Sequence, residues 1–242
     1  MTQSHPTFPP YSLADAQLEV PVSLIKYGDD EDQVLEFYGE NSPDKSTLIL
    51  IHGGYWRNLF DREHMRPLAV ALAKSNYNVV LPEFRRVAGS PDTTLRDLSF
   101  ALSTLSDLSL TLVGYSSGGH LALLLADKFP AVKKVIGLAP VTDLHESQKL
   151  ELGRNAVIEW LGRDAQEHPE LDPMLRPPIS AETIFIHGEL DERVPLDLTH
   201  KYVGEMKKQG KEISLEVLAE TTHFQMMEIP SRTFEALLKA IN

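Results

Sequence analysis

The chain has 242 residues, of which 42% are hydrophobic and 24% are charged, a composition typical of a globular protein rather than a collagen, coiled coil or disordered chain. It has 23 Lys and Arg against 35 Asp and Glu, and a formal net charge of −12 argues against a nucleic-acid partner because such a surface repels phosphates. The absence of cysteine excludes disulfides, thiolate nucleophiles and Cys-ligated metals.

The beginning of the chain and its apolar runs bear on location. Met1–Pro10 is polar and proline-rich without the apolar region of a signal peptide, and no apolar run approaches the roughly 18 residues of a membrane span. We therefore expect one cytoplasmic domain over residues 1–242, with no membrane contact. The oligomeric state is left open, and a homodimer is one of the options.

Short apolar runs alternate with longer amphipathic stretches along most of the chain. Val20–Lys26 and Gln33–Gly39 flank an acidic turn and predict an antiparallel hairpin. Later strands are predicted at Thr47–Ile51, Asn78–Leu81, Leu110–Val113, Val135–Leu138, Thr183–Ile186 and Ile213–Leu218. Helices are predicted at Asp61–Ser75, Thr93–Leu105, Ser117–Phe129, Leu196–Lys208 and Ser231–Ile241. This alternation predicts an α/β fold, with a mostly parallel central sheet, helices on both faces and the hairpin at one edge.

The segment His145–Pro178 breaks this alternation. It is about twice as long as a single crossover helix requires, and it holds one short amphipathic stretch, Arg154–Leu161, before a proline-rich end. Long insertions in compact folds are usually lids or binding loops. We expect a small, mobile cap that decides substrate size, and a helix with a meandering connection is the alternative.

The motif Gly114-Tyr115-Ser116-Ser117-Gly118 lies where a predicted strand ends and a helix begins. A nucleophile on so tight a turn needs small residues two positions before and after it, because the backbone is closely approached there. The motif therefore predicts Ser116 as a nucleophile near the positive end of a helix. The alternative, a phosphate-binding turn, is disfavoured because the motif lacks lysine and the G-x-G-x-x-G spacing.

A serine nucleophile requires a base and an orienting carboxylate. Catalytic groups in such sheets follow the carboxyl ends of strands, which selects three of the nine histidines, His52, His187 and His223. His223 follows the last strand and Asp191 follows an earlier one, and the chain order Ser, Asp, His is that of nucleophile-elbow hydrolases. Asp143, one strand earlier, is the rival acid. For His187 we favour packing at the strand end.

The motif His52-Gly53-Gly54-Tyr55-Trp56 follows the first central strand. Backbone N–H groups of Gly53 and Gly54 can turn towards a substrate oxygen and, with the N–H of Ser117, predict an oxyanion hole. We expect Tyr55 and Trp56 to bind substrate at the mouth of the site, with simple packing under the cap as the alternative. No H-E-x-x-H motif or EF-hand spacing occurs, so we predict neither a metal nor a cofactor.

Together, the segments HGGYW, GYSSGGHLA, HGELDERVP and THF resemble the α/β-hydrolase superfamily, in order from Thr47 to the C-terminus. The HGGYW loop is similar to that of the hydrolase-type kynurenine formamidases (arylformamidases). The resemblance implies Ser116, Asp191 and His223 as nucleophile, acid and base, and oxyanion donors at Gly53, Gly54 and Ser117. It also implies hydrolysis of an aryl formamide, N-formyl-kynurenine, to kynurenine and formate.

Three functions follow from this sequence. The first is a serine hydrolase of small aryl formamides, and the second is a carboxylesterase of short-chain acyl esters that uses the same residues. The third is a non-catalytic binding protein on a hydrolase scaffold, which a full set of Ser116, Asp191 and His223 argues against. A small-molecule substrate is the expected partner.

Overall fold

The computed structural model describes residues 21, 23–40, 46–105 and 108–242. Within them the strands are β1 (Ser23–Lys26), β2 (Val34–Tyr38), β3 (Thr47–Ile51), β4 (Asn78–Pro82), β5 (Leu110–Tyr115), β6 (Val132–Leu138), β7 (Glu182–Gly188) and β8 (Ser214–Leu218). They form a single sheet in the order β1-β2-β4-β3-β5-β6-β7-β8. The pairs β1–β2 and β2–β4 are antiparallel and the other pairs are parallel.

This topology confirms the mostly parallel sheet and the antiparallel hairpin at one edge. The first strand was predicted at Val20–Lys26, and in the structure it pairs with β2 from Ser23, which lies opposite Phe37. Val20 and Val22 lie outside the described residues. The stretch Met1–Pro10, on which the expected lack of a signal peptide rests, also lies outside them.

The described helices are α1 (Arg66–Lys74), α2 (Pro91–Ser103), α3 (Ser117–Leu125), α4 (Leu144–Lys149), α5 (Leu152–Leu161), α6 (Leu196–Lys208) and α7 (Arg232–Ile241). A 3-10 turn, Arg62–Met65, leads into α1, where Pro67 occupies the first turn and needs no N–H partner. In the described parts of the chain no helix is both long and apolar enough to cross a membrane.

The two faces of the sheet bury separate sets of apolar side chains. Along β3, Leu48 and Leu50 pack with residues of α1 and α7, whereas Ile49 and Ile51 pack with residues of α2, α3 and α6. Successive side chains of a strand point to opposite faces, so an uninterrupted apolar run is required where both faces are covered. Each fully buried Leu or Ile contributes roughly 1.5–3 kcal/mol.

The segment His145–Pro178 folds into the end of α4, α5 and three 3-10 turns, Ala165–Glu167, Pro169–Leu171 and Pro173–Leu175. Asp172 is buried between these turns, and its carboxylate accepts hydrogen bonds from the N–H groups of His145 and Met174. The segment therefore packs against the body of the protein through specific polar contacts as well as apolar ones. Its role as a mobile cap stays a prediction.

The amphipathic stretch Arg154–Leu161 lies in α5, whose first residues are not regular helix. Gly153, Arg154 and Asn155 have positive φ values of 60°, 59° and 62°, so the regular right-handed helix begins only after them. A Cβ on Gly153 would lie 2.7 Å from the ring of Tyr55. The left-handed turn thus brings the backbone of this segment directly against the Tyr55 side chain.

Candidate active site

Ser116 lies at the sharp turn between β5 and α3. Its φ of 55° and ψ of −121° are strained for a residue with a Cβ. Hydrogen bonds hold this conformation from both sides, because its N–H donates to Leu138 O (2.9 Å) and its carbonyl accepts from Gly119 (3.0 Å) and Val141 (3.2 Å). The turn leaves the Ser116 side chain facing a pocket at the carboxyl edge of the sheet.

The glycines on either side of Ser116 are required by close backbone approaches. A Cβ on Gly118 would lie 2.0 Å from the carbonyl oxygen of Ile51, and one on Gly114 would lie 2.4 Å from that of Gly118. Real Cβ atoms do not approach backbone atoms so closely, so no larger residue fits without moving a strand. The structure thus gives a physical reason for both glycines of the motif.

His223 and Asp191 meet beside this turn. The ring Nδ1 of His223 donates to Asp191 Oδ2 at 2.7 Å, and this leaves the other ring nitrogen, Nε2, free to act as a base. The hydroxyl of Tyr115 donates to the carbonyl of His223 at 3.1 Å and fixes the loop. Ser116 and His223 line the same pocket.

Asp191 is held by four donors. Oδ1 accepts hydrogen bonds from the N–H groups of Arg193 and Val194, each at 2.8 Å, and Oδ2 lies 3.2 Å from Nε2 of His187. Burial raises the pKa of this carboxyl, but the hydrogen bonds from His187 and His223 outweigh it and hold the pKa well below its usual range. Asp191 is therefore ionised beside His223.

His187 has a role that the sequence did not reveal. Its Nε2 donates to Val194 O (2.9 Å) as well as lying near Asp191, and its Nδ1 accepts from the hydroxyl of Thr199 (2.9 Å). The ring therefore orients the carboxylate in addition to packing at the strand end. Its position four residues before Asp191, in His-Gly-Glu-Leu-Asp, is the signal that could have indicated this contact.

The rival acid Asp143 is a helix cap in the structure. Its carboxylate accepts a hydrogen bond from the N–H of Glu146 at 2.7 Å and so caps the N-terminus of α4. The structure brings Asp191, and not Asp143, to His223.

The glycine loop after β3 runs directly over the turn at Ser116. A Cβ on Gly53 would lie 2.9 Å from Cβ of Ser116, and Gly54, Tyr55 and Trp56 all have positive φ, at 115°, 56° and 57°. The N–H of Ser117 opens α3 and has no acceptor within the helix. Gly53 and Ser117 are thus adjacent to Ser116, and Gly54 lines the same pocket. An oxyanion hole formed by their N–H groups stays a prediction.

A buried polar network supports this loop from below. The ring nitrogens of His52 lie 2.8 Å from Gly53 O and 3.0 Å from Glu83 Oε1. Glu83 also accepts from Arg86 and from the N–H of Arg62 (2.8 Å). Burial raises the pKa of Glu83, but the hydrogen bond to His52 and the nearby charges outweigh it and lower the pKa well below its usual range. The strained loop therefore rests on an ionised, fully buried carboxylate.

The pocket has a volume of about 320 Å³, and four Phe and Tyr rings contribute to its walls. Besides Ser116 and His223 it is lined by Gly54, Tyr55, Arg57, Leu59, Phe60, His64, Tyr115, Gly153, Arg154, Arg193 and Phe224. Burial lowers the pKa of His64 to about 3, so this ring is uncharged in the pocket wall at neutral pH.

The two aromatic residues expected to bind substrate occupy different places. Tyr55 lines the pocket and donates its hydroxyl to Arg193 O at 3.3 Å. Trp56 does not line it: its ring stacks on Trp160 at 4.9 Å, and its Nε1 donates to Nδ1 of His120 at 3.3 Å. The structure therefore brings Tyr55 but not Trp56 to the pocket, because Trp56 packs under α5.

His120 lies outside the pocket lining. It is fully buried in α3, and its Nε2 donates to Leu171 O at 2.8 Å while Nδ1 accepts from Trp56. It links the glycine loop to the 3-10 turn Pro169–Leu171. The described residues contain no group of three or more His, Asp or Glu placed to hold a metal ion.

The sequence profile of the prolyl oligopeptidase family matches residues 100–238, more than half of the chain. This stretch contains Ser116, Asp191 and His223. The chain belongs to the prolyl oligopeptidase family.

Individual proteins similar to this member of the prolyl oligopeptidase family include a formamidase, an AB hydrolase superfamily protein and an esterase. A kynurenine formamidase of Danio rerio is 24% identical over 90% of this chain and 78% of its own length. An AB hydrolase superfamily protein of Gibberella zeae is 28% identical over 52% of this chain and 45% of its own length. A solved esterase of Thermogutta terrifontis with propionate bound has a TM-score of 0.71 at 18% identity, covering 91% of each chain.

These comparisons confirm the α/β-hydrolase fold. With the family assignment, they identify the protein as an enzyme of the serine-hydrolase type.

Proposed function

We propose that this enzyme hydrolyses small aryl formamides, of which N-formyl-kynurenine is the type, with Ser116, His223 and Asp191 as its catalytic triad. The observation that carries the proposal is the 2.7 Å hydrogen bond between His223 and Asp191, beside the strained turn of Ser116 in one aromatic pocket. The similarity to a kynurenine formamidase over most of the chain supports the substrate class.

In the acylation step, the Ser116 hydroxyl attacks the formyl carbon while His223 Nε2 takes up the hydroxyl proton. Negative charge develops on the former carbonyl oxygen, next to the N–H groups of Gly53, Gly54 and Ser117. Preorganised donors of this kind each contribute about 3–4 kcal/mol to transition-state stabilisation. Asp191 stabilises the protonated His223 and holds its ring in position.

Collapse of the tetrahedral intermediate breaks the C–N bond. The protonated His223 gives its proton to the aniline nitrogen, which is a poor leaving group without it. The amine product leaves, and a formyl ester remains on Ser116. Water, deprotonated by His223, then attacks this ester and releases formate.

The pocket has room and apolar walls for an aromatic leaving group. Formyl is the smallest acyl group, so most of the 320 Å³ is left for the aromatic amine. The rings of Tyr55, Phe60 and Phe224 line this space and offer apolar faces to an anilide.

The test compares kcat/KM of the purified protein for N-formyl-kynurenine with that for nitrophenyl acetate and nitrophenyl butyrate. We expect the formamide to be the better substrate and Ser116→Ala to abolish turnover of all three. Ser103→Ala, at an exposed serine of α2, is the matched control and should change none of them. Rapid ester hydrolysis with no turnover of the formamide would replace the formamidase by the short-chain carboxylesterase.

A further inference from the structure

The charged residues that line the active-site pocket all have the same sign. Arg57, Arg154 and Arg193 line it, and none of its described lining residues is an Asp or Glu. The chain as a whole carries a net charge of −12, so this local excess of positive charge runs against the composition. A solvated surface of average composition would mix both signs.

The three arginines differ in how far their charges are already compensated. The charge of Arg57 is already compensated, because its guanidinium donates twice to Glu159 Oε2, at 2.8 and 2.6 Å. Arg154 is exposed, and in the described parts of the chain its side chain has no hydrogen bond or ion pair. Arg154 thus brings an uncompensated cation to the pocket.

Arg193 is held at the catalytic centre with donor capacity to spare. Its backbone N–H donates to Asp191, and its guanidinium lies 5.2 Å from the centre of the Phe224 ring. Glu192 forms an ion pair with Arg193, with its carboxylate oxygen 3.7 Å from Nε, but this buried Nε makes no hydrogen bond among the described residues. A buried donor without an acceptor is costly and points to a ligand group that supplies one.

We infer that the pocket takes substrates that carry a carboxylate away from the scissile bond, and that Arg154 and Arg193 bind this group. A carboxylate supplies the acceptor oxygens that the planar guanidinium of Arg193 lacks, and it neutralises Arg154. The aromatic wall binds the apolar body of the same molecule. This inference rests on the proposed hydrolytic site at Ser116 and narrows its substrate class.

Because the chain carries a large negative net charge, comparing an anionic substrate with its neutral analogue tests for local carboxylate recognition. A molecule with a charge of −12 repels anions at a distance, so without local recognition an anionic substrate should react more slowly than its neutral analogue. A preference for the anion therefore requires cations at the site.

The experiment uses pairs of esters that differ only in a carboxylate or its isosteric amide. The first pair is meta-carboxyphenyl acetate and meta-carbamoylphenyl acetate, with the charge on the leaving group. The second is the mono-nitrophenyl ester of glutaric acid and nitrophenyl glutaramate, with the charge on the acyl group. The readout is the ratio of kcat/KM for anion over amide within each pair, which cancels any general damage to the catalytic residues.

We expect the wild-type ratio to exceed one in at least one pair, by about tenfold. Arg154→Gln and Arg193→Gln should each lower that ratio by about fivefold, as expected for a partly exposed charge-assisted contact. Arg96→Gln removes the same charge at an exposed position of α2 and should leave the ratio unchanged.

A ratio of one or less in both pairs would overturn the inference, as would a ratio that neither arginine substitution lowers. In both cases the esters are still hydrolysed, so the proposed site at Ser116 survives. If no ester is hydrolysed and Ser116 cannot be acylated, the proposed function fails and this inference fails with it.

Discussion

At the scale of single residues, the centre of the site is the carboxylate of Asp191. Two backbone N–H groups and two histidines surround its oxygens, so the charge remains buried yet ionised. Such a carboxylate keeps the His223 ring in the tautomer whose Nε2 can accept a proton. Asp143 has no comparable setting, because it caps a helix.

This difference predicts opposite outcomes for two matched substitutions. Asp191→Asn should lower kcat on the order of 10⁴-fold, the loss known for a triad carboxylate in a serine protease. Asp143→Asn should lower kcat by less than about tenfold and cost at most about 1 kcal/mol of stability, since asparagine also caps helices. Turnover of nitrophenyl acetate and thermal unfolding of both variants measure the two effects. A larger kcat loss in Asp143→Asn would contradict the assignment of Asp191.

A site residue could be predicted from the sequence when its position follows from strand order, but not when it depends on a contact with a residue far along the chain. Ser116, Asp191 and His223 each follow a strand, and parallel strands bring their carboxyl ends to one edge, so strand order alone brings them close together. The position of Trp56 depends on Trp160, which lies far along the chain in α5. No local pattern in the sequence reports such a contact.

At the scale of elements, the turn from β5 to α3 and the loop after β3 form one tightly packed unit. The backbone of Ile51 and His52 passes so close to Gly118 that the helix can start only with a glycine at this position. The precision of the site therefore comes from backbone packing between two elements rather than from side chains alone.

This packing predicts contrasting effects of the same substitution at two helical glycines. Gly118→Ala places a Cβ 2.0 Å from a backbone oxygen and should lower the free energy of unfolding by about 3 kcal/mol or more, together with activity. Gly204 in α6 is exposed, and a Cβ there would meet nothing within 4 Å. Gly204→Ala should raise the free energy of unfolding by about 0.5–1 kcal/mol.

Urea denaturation and ester turnover of the two variants provide the measurements. A Gly118→Ala protein with wild-type stability and activity would show that the turn is looser than its contacts indicate.

The bounds of a strand or helix were predictable where a single pattern in the sequence, such as an apolar run or helical spacing, determines them. β3 was predicted at its observed bounds, Thr47–Ile51, because both of its faces are buried, and α6 was predicted at Leu196–Lys208 because its apolar side chains recur at helical spacing. The start of α5 was not predicted. Its left-handed turn at Gly153–Asn155 contacts the Tyr55 ring, and this contact joins distant parts of the chain.

At the scale of the whole molecule, His120 joins three parts of the fold. It belongs to α3, accepts from Trp56 in the glycine loop and donates to Leu171 in the segment after α4. Burial lowers the pKa of this ring to about 4, so it is neutral in the folded protein above that pH. Its hydrogen bonds need the neutral form, because Nδ1 must act as an acceptor.

The lowered pKa predicts a loss of stability in mild acid. An unfolded chain protonates His120 near pH 6.5, whereas the folded protein resists until about pH 4. The contribution of His120 to the free energy of unfolding is therefore constant above pH 6.5. It falls by about 3 kcal/mol as the pH is lowered from 6.5 to 4, because the unfolded state binds more protons in that window.

Urea denaturation of wild type and His120→Gln at pH 7.5 and 4.5 tests this. The variant should be less stable than wild type at pH 7.5, and the difference should shrink at pH 4.5. His200→Gln, at an exposed position of α6, is the control and should show no such change. A His120→Gln deficit that is equal at both pH values would contradict the role of the neutral ring.

Every catalytic role proposed for this chain depends on Ser116 being the nucleophile. The most direct measurement is reaction of the native protein with diisopropyl fluorophosphate, followed by peptide mass mapping. We expect one adduct per chain, on Ser116. It should be absent from Ser116→Ala, retained in Ser103→Ala and formed far more slowly in His223→Ala. An adduct on another serine, or undiminished labelling of Ser116→Ala, would contradict it.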